Sequence, residues 1–157
     1  RYQCHHALKK VIAISPPRLS YKAFMEGERR AEFLQSIENS RTAMREGEPE
    51  RLVDVNVPFP LLITAESYLD KYGEQEKYNL EPMIAGLSLP TDFIFGGHEL
   101  KHSGVVFAGL DSSLRAIAVD AGLEEQITVR VIEEADHMYS QKVPHLAAAV
   151  LPLIHEY

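Results

Sequence analysis

The sequence predicts an α/β fold, with three parallel strands, flanking helices and an inserted helical segment. Three observations carry that expectation. First, short apolar runs rich in β-branched and aromatic residues recur, each closed by turn residues: "KKVIAISPP" (9–17), "TDFIFGG" (91–97) and "ITVRVIEEAD" (127–136). Runs of this kind suit strands buried on both faces of a parallel sheet. Second, a segment of helical periodicity lies between the last two runs and another follows the third, so strand and helix alternate as right-handed crossovers require. Third, residues 18–90 separate the first run from the second, far more than one crossover needs. That stretch reads as an insertion.

Each element has its own signal. Pro16 and Pro17 end the first run, because neither can donate to a ladder. In "ERRAEFLQSIENSRTAMREG" (28–47), Phe33, Ile37 and Met44 share a helical face, and Gly47 with Pro49 stops the helix. "VDVNVPFPLLI" (53–63) is extended and broken by prolines. "AESYLDKYG" is a short helix ending at Gly73, and "LEPMIAG" is a helical turn. Residues 18–88 are thus expected to form a cap over one end of the sheet, with 1–17 and 89–157 as the core. In "LDSSLRAIAVDAG" (110–122), Asp111 or Ser112 caps a helix that Gly122 ends, and Leu114, Ile117 and Ala118 share its inner face. "VPHLAAAVLPLIHEY" (143–157) predicts a last helix, with Pro144 early, an apolar stripe of Leu146, Val150, Leu153 and Ile154, and a kink at Pro152. There is no internal repeat and no low-complexity tract.

Length and composition bound the function. A chain of 157 residues fits one core. A net charge of −7 weighs against a nucleic-acid binder, which would show a basic face. No apolar run approaches the roughly 18 residues of a membrane span. One cysteine, Cys4, excludes an internal disulfide, and with no secretory signal pattern at the start the default compartment is cytoplasmic. The opening "RYQCHHAL" lacks an initiator Met and runs straight into a strand. The expectation is that the chain starts inside a larger protein.

The stretch "TDFIFGGHELKH" (91–102) admits two chemistries. His98-Glu99-Leu100-Lys101-His102 matches the H-E-x-x-H pattern, in which two histidines on one helical face bind zinc and the Glu is a general base. Gly96, Gly97 and Gly104 surround it, and a glycine costs about 1 kcal/mol in a helix interior, so the required helix is disfavoured. The place of a third His, position 108, holds Ala, and nothing singles out Asp120 or Glu124 as a substitute ligand. The other reading starts from strand ends, where open parallel sheets bind their ligands. Glu99 follows one strand and His137, in "EEADHMYS", follows the next. A carboxylate beside an imidazole fixes its tautomer and stabilises its protonated form. Together they make two thirds of a nucleophile–base–acid triad.

With these residues in view, the sequence resembles the C-terminal part of an α/β-hydrolase. The family's acid follows a late strand in a G-x-x-[DE] turn, matched by Gly96-Gly97-His98-Glu99, and its histidine follows the last strand in a G-x-x-H-like loop, matched by Glu134-Ala135-Asp136-His137 with Glu134 in place of the glycine. The resemblance covers the chain in layout, and only these two turns carry motif-level detail. It implies a partial α/β-hydrolase fold and an esterase- or lipase-like serine hydrolase, with His137 as general base and Glu99 as its acid, a small ester-like substrate and no cofactor. The family's nucleophile elbow, G-x-S-x-G, is absent. "GLSLP" (86–90) lacks the last glycine and precedes a strand, and Ser103 and Ser15 have no supporting context. The nucleophile and the oxyanion-hole amides are therefore expected upstream of Arg1, and this chain alone is expected to be inactive. It is also expected to associate with itself or with the missing half through an exposed sheet edge.

Plainer roles stand beside these. Glu99 and His137 each also read as surface loop residues, and Asp136 as an alternative partner of His137. His98 and His102 suit a site rim, Asp111 a helix cap, and Cys4, His5 and His6 the tail of a helix. Phe24, Met25, Phe59, Tyr68 and Tyr72 would line a substrate pocket or simply form the core of the cap. The alternatives to the hydrolase are a non-catalytic binding module of the same fold and a zinc hydrolase using His98, Glu99 and His102.

Overall fold

The computed structural model describes residues 8–155; the expectations for Cys4, His5 and His6 lie outside them. In chain order the elements are strand β1 (Val11–Ile14), helices α1 (Tyr21–Glu26) and α2 (Arg30–Arg45), strands β2 (Leu52–Val55) and β3 (Leu61–Thr64), helix α3 (Ala65–Tyr72), a 3-10 turn (Glu81–Gly86), strand β4 (Thr91–Gly96), helix α4 (Gly97–His102), a second 3-10 turn (Gly104–Val106), helix α5 (Leu110–Asp120), strand β5 (Ile127–Ile132) and helix α6 (Val143–His155). The chain divides into two compact units, Arg18–Asn79 and the remainder.

The remainder is built on a three-stranded sheet of order β1-β4-β5, parallel throughout. Val11 pairs with Thr91, and Thr91 with Ile127. The fold is thus of the α/β class, and its three strands are those expected. β4 is central and buried along its whole length. Its alternation divides the core in two. Phe93 and Phe95 pack with Leu110, Leu114 and Ala118 of α5 on one face. Ile94 packs with Ile132, Ala135, Tyr139 and Leu153 on the other, with Leu146 and Val150 of α6 beside them. Period-2 side-chain placement is what lets one strand serve two helix layers.

Several expectations change in detail. Neither Asp111 nor Ser112 caps α5: the N-cap is Gly109, in the left-handed region at φ 67°, and Asp111 sits in the first turn, where a negative charge meets the positive end of the helix dipole. α6 continues through Pro152. Leu146, Val150 and Leu153 face the core, whereas Ile154, one residue further round the helix, is exposed. Leu80–Ser88, expected in the insertion, go with the sheet instead. Ile84 is buried in the α5 cluster, and Gln126 Nε2 donates to the carbonyls of Leu87 at 2.8 Å and Leu89 at 3.2 Å.

The unit Arg18–Asn79 contains α1, α2, α3 and an antiparallel pair, β2 with β3. The proline-broken segment is therefore a hairpin, with a cis Val57-Pro58 bond in its loop. On α2 the buried face is Phe33, Ser36, Ile37, Ser40 and Ala43; Met44 lies outside it and is exposed. Phe24, Tyr68 and Tyr72 are core residues of this unit, with the Phe24 and Phe33 rings 5.0 Å apart, while Phe59 is exposed. Among the described residues no helix is long and apolar enough to cross a membrane.

Candidate functional site

Three strand ends of the parallel sheet carry the site. Gly96 closes β4, and Gly97 opens α4. The helix expected to be disfavoured does form, because these glycines sit at its start and Gly104 lies beyond its end, so none is in its interior. Their lack of side chains has a second use. A Cβ on Gly96 would stand 2.4 Å from the Ala135 carbonyl oxygen, and one on Gly97 would stand 3.2 Å from Glu134 N. The loop after β5 rests directly on this turn. The Ala135 carbonyl accepts from the amides of His98 at 3.0 Å and Glu99 at 3.4 Å.

That contact brings Glu99 and His137 together. Glu99 Oε1 lies 2.5 Å from His137 Nδ1. Glu99 is 1% exposed, while the His137 side chain is 55% exposed. The Phe107 ring lies against the imidazole, centroids 5.4 Å apart. The second carboxylate oxygen, Oε2, accepts from Ser15 Oγ at 2.7 Å and from the Gly96 amide at 3.0 Å. The Gly96 bond is the reach-back of an acidic residue at the third helical position to the cap amide. Ser15 follows β1 and contacts Tyr139 OH at 2.9 Å, and Tyr139 OH also lies 3.3 Å from the Ile94 carbonyl. Burial raises the Tyr139 pKa; the Ser15 hydrogen bond opposes this in part, and the nearby Glu99 charge adds a lesser rise.

A proton inventory orders the network. Tyr139 keeps its proton and can donate. Ser15 has one proton, which goes to Glu99, so it accepts from Tyr139, whose single proton is shared between Ser15 Oγ at 2.9 Å and the Ile94 carbonyl at 3.3 Å. A carboxylate only accepts, so Nδ1 of His137 is the donor. In its neutral form the imidazole then carries its proton on Nδ1 and its lone pair on Nε2. No described residue hydrogen-bonds Nε2. A histidine in this state can take a proton from a group placed at Nε2 and return it.

The other expected residues fall elsewhere. Asp136 does not partner His137: its carboxylate accepts from the Ser140 amide at 2.9 Å, and that bond holds its pKa below the usual value. Glu134 has φ 58°, the left-handed conformation a glycine would favour. Its carboxylate pairs with Lys142 at 3.0 Å. His98 and His102 do share a helical face, with rings 4.8 Å apart edge to face, but Glu99 turns away from them into the protein. Among the described residues no group of three or more His, Cys, Asp or Glu is arranged to hold a metal ion. Ser88 and Ser103 lie outside the network, and Ser103 is the C-cap of α4.

From the sequence, Ser15 was considered only as a nucleophile and Tyr139 was not singled out. A signal for Ser15 was present, since it follows its strand as Glu99 follows β4. Fold and site together define a protein of the α/β class with a carboxylate and an imidazole joined beyond the carboxyl ends of adjacent parallel strands. The chain matches no protein-family model, no curated protein and no solved structure.

Proposed function

We propose that Glu99 and His137 are the acid and base of a serine hydrolase of the α/β-hydrolase type, acting on small ester-like substrates. One observation supports the reading above all: a fully buried carboxylate bonded at 2.5 Å to Nδ1 of a half-exposed histidine. Burial keeps water from competing for Oε1. Exposure leaves Nε2 accessible. His137 takes the proton of an attacking hydroxyl as the new ester bond to the enzyme forms, then gives it to the departing alcohol. Glu99 holds the tautomer and stabilises the imidazolium. The reading calls for an attacking hydroxyl at Nε2, which it assigns to a segment preceding Arg1, together with the amides that would bind the oxyanion.

The test is hydrolysis of short-chain p-nitrophenyl esters by the gene product that includes the residues encoded upstream. His137→Ala and Glu99→Ala each lower kcat/KM by about a thousandfold or more. The 157-residue chain alone hydrolyses nothing and takes no label from a fluorophosphonate. Full activity in His137→Ala rejects the assignment. An inactive longer product, with no serine labelled, favours a binding module on the same fold. The reading also has β1, which pairs only with β4 among the described strands, adding a further strand at its open edge. Sedimentation of the chain alone should then show concentration-dependent association; a monomer at all concentrations counts against it.

A further inference from the structure

His137 lies on the loop between β5 and α6, and Tyr139 follows it two residues on. Both side chains return to one carboxylate. His137 reaches Glu99 Oε1 directly, and Tyr139 reaches Oε2 through the Ser15 hydroxyl. The loop is therefore tied to Glu99 at two points, in a closed circuit of two side-chain contacts to the acid and the three residues of backbone from His137 to Tyr139. The two ends differ in burial. Tyr139 is buried among Ile94, Ile132, Ala135 and Leu153, and Ser15 is buried as well. His137 is half in solvent, and among the described residues Glu99 and the Phe107 ring orient it. Two of these positions hold an unfavourable backbone: Ser15 has φ 46° and Tyr139 has φ 53°. Left-handed conformations at such residues persist where the surrounding contacts over-determine them.

We propose that Ser15 and Tyr139 are positioning residues, a clamp that fixes the Glu99 carboxylate and the His137 loop so that the imidazole stays in its Nδ1–H form. The clamp acts through Oε2. With two donors on that oxygen, the carboxylate cannot rotate, and Oε1 remains aimed at Nδ1. Ser15 alone would not suffice, because its hydroxyl could rotate away; the Tyr139 hydroxyl occupies its lone pair and turns its proton toward Glu99. The proposal deepens the hydrolase reading, on which the catalytic part of His137 rests, but it is tested without turnover.

The experiment is nitrogen-15 NMR of the imidazole groups in the 157-residue chain, with the His137 signal assigned by its loss in His137→Ala. The folded wild type shows a slowly exchanging Nδ1 proton on His137. Two variants remove the clamp by different routes. Tyr139→Phe deletes only an oxygen. Ser15→Gly deletes the hydroxyl and suits the φ 46° backbone, so the fold is retained even if a bulkier change would disturb it. In both, exchange of the Nδ1 proton accelerates about tenfold or more, the effect of losing one hydrogen bond of the clamp: the charge-assisted bond to Glu99 in Ser15→Gly and the Tyr139–Ser15 bond in Tyr139→Phe. A structural role alone would lower the unfolding midpoint and leave that proton unchanged. Unaltered exchange in both folded variants overturns the clamp. Absence of the Nδ1 proton in the folded wild type overturns both the clamp and the hydrolase reading. The stated exchange pattern, in a longer product that hydrolyses no ester, upholds the clamp and removes only the hydrolase reading.

Discussion

A methyl group at Gly96 would meet the Ala135 carbonyl oxygen at 2.4 Å, far inside van der Waals contact, and that oxygen belongs to backbone that also accepts the His98 amide. The loop cannot yield without losing the hydrogen bond that docks it on α4. Gly96→Ala should destabilise the chain by roughly 1–3 kcal/mol, the usual effect of overpacking, and it should separate His137 from Glu99. Gly97→Ala, where the nearest atom is at 3.2 Å, should cost less. Urea unfolding of the two variants ranks them, and equal stabilities would mean that the loop does not rest on Gly96 as described. The residues that carry the site were legible in the sequence because each follows an apolar run closed by a turn. Glu99 and His137 were found in that way. Ser15 was passed over because a serine before two prolines carries no chemical pattern of its own; only the register Ile14 with Ile94 shows that it leaves the sheet at the same end as the acid. Tyr139 was missed because an aromatic residue in a loop does not announce a hydroxyl turned inward.

At the level of elements, the strands were readable and the ends of the helices were not. β4 is buried on both faces and reads as a near-continuous apolar run, whereas β5 alternates buried and exposed residues and β1 is only half-buried, both standing out by their β-branched residues. Gly109 escaped as the cap of α5 because Asp111 and Ser112 are better cap residues in isolation, and the chain's turn at φ 67° is what moves the start. The hairpin of β2 and β3 was read only as extended, since its prolines mask the alternation of Val53 and Val55. One residue in β4 contradicts its strand: Asp92 is buried at the centre of the sheet. It is answered by Lys10 Nζ at 2.9 Å and Arg130 Nε at 3.3 Å, so one carboxylate links all three strands. Lys10 is largely buried, whereas Arg130 is nearly half exposed, which makes the lysine the stronger partner. Asp92→Ala leaves that ammonium without its carboxylate and should cost about 3 kcal/mol, the lower end for breaking a buried pair. Asp92→Leu with Lys10→Leu should recover much of it. Denaturant midpoints decide this, and a single Asp92→Ala variant as stable as the wild type would mean the triad contributes nothing.

Across the whole molecule, each unit buries tyrosines: Tyr68 and Tyr72 in the Arg18–Asn79 unit and Tyr139 beside the site. Burial raises all three pKa values, that of Tyr68 to about 12. An unfolded chain releases a tyrosine proton near pH 10. Between that value and the folded one, the native state holds protons that the unfolded state has lost, so stability falls as pH rises. The contribution is fully present below about pH 10 and disappears as pH passes through the folded values. For Tyr68 the window runs from the unfolded value to about 12, with a slope approaching roughly 1.4 kcal/mol per pH unit for that one group. Tyr68→Phe separates this from general alkaline weakening. It removes the hydroxyl that donates to the Val57 carbonyl at 2.9 Å, so the variant should start about 1 kcal/mol less stable at pH 8. It should then lose stability more slowly above pH 10, and the wild-type and variant curves should converge. Urea unfolding at half-unit steps across that range measures both slopes; parallel curves would show that Tyr68 gives up its proton as readily folded as unfolded.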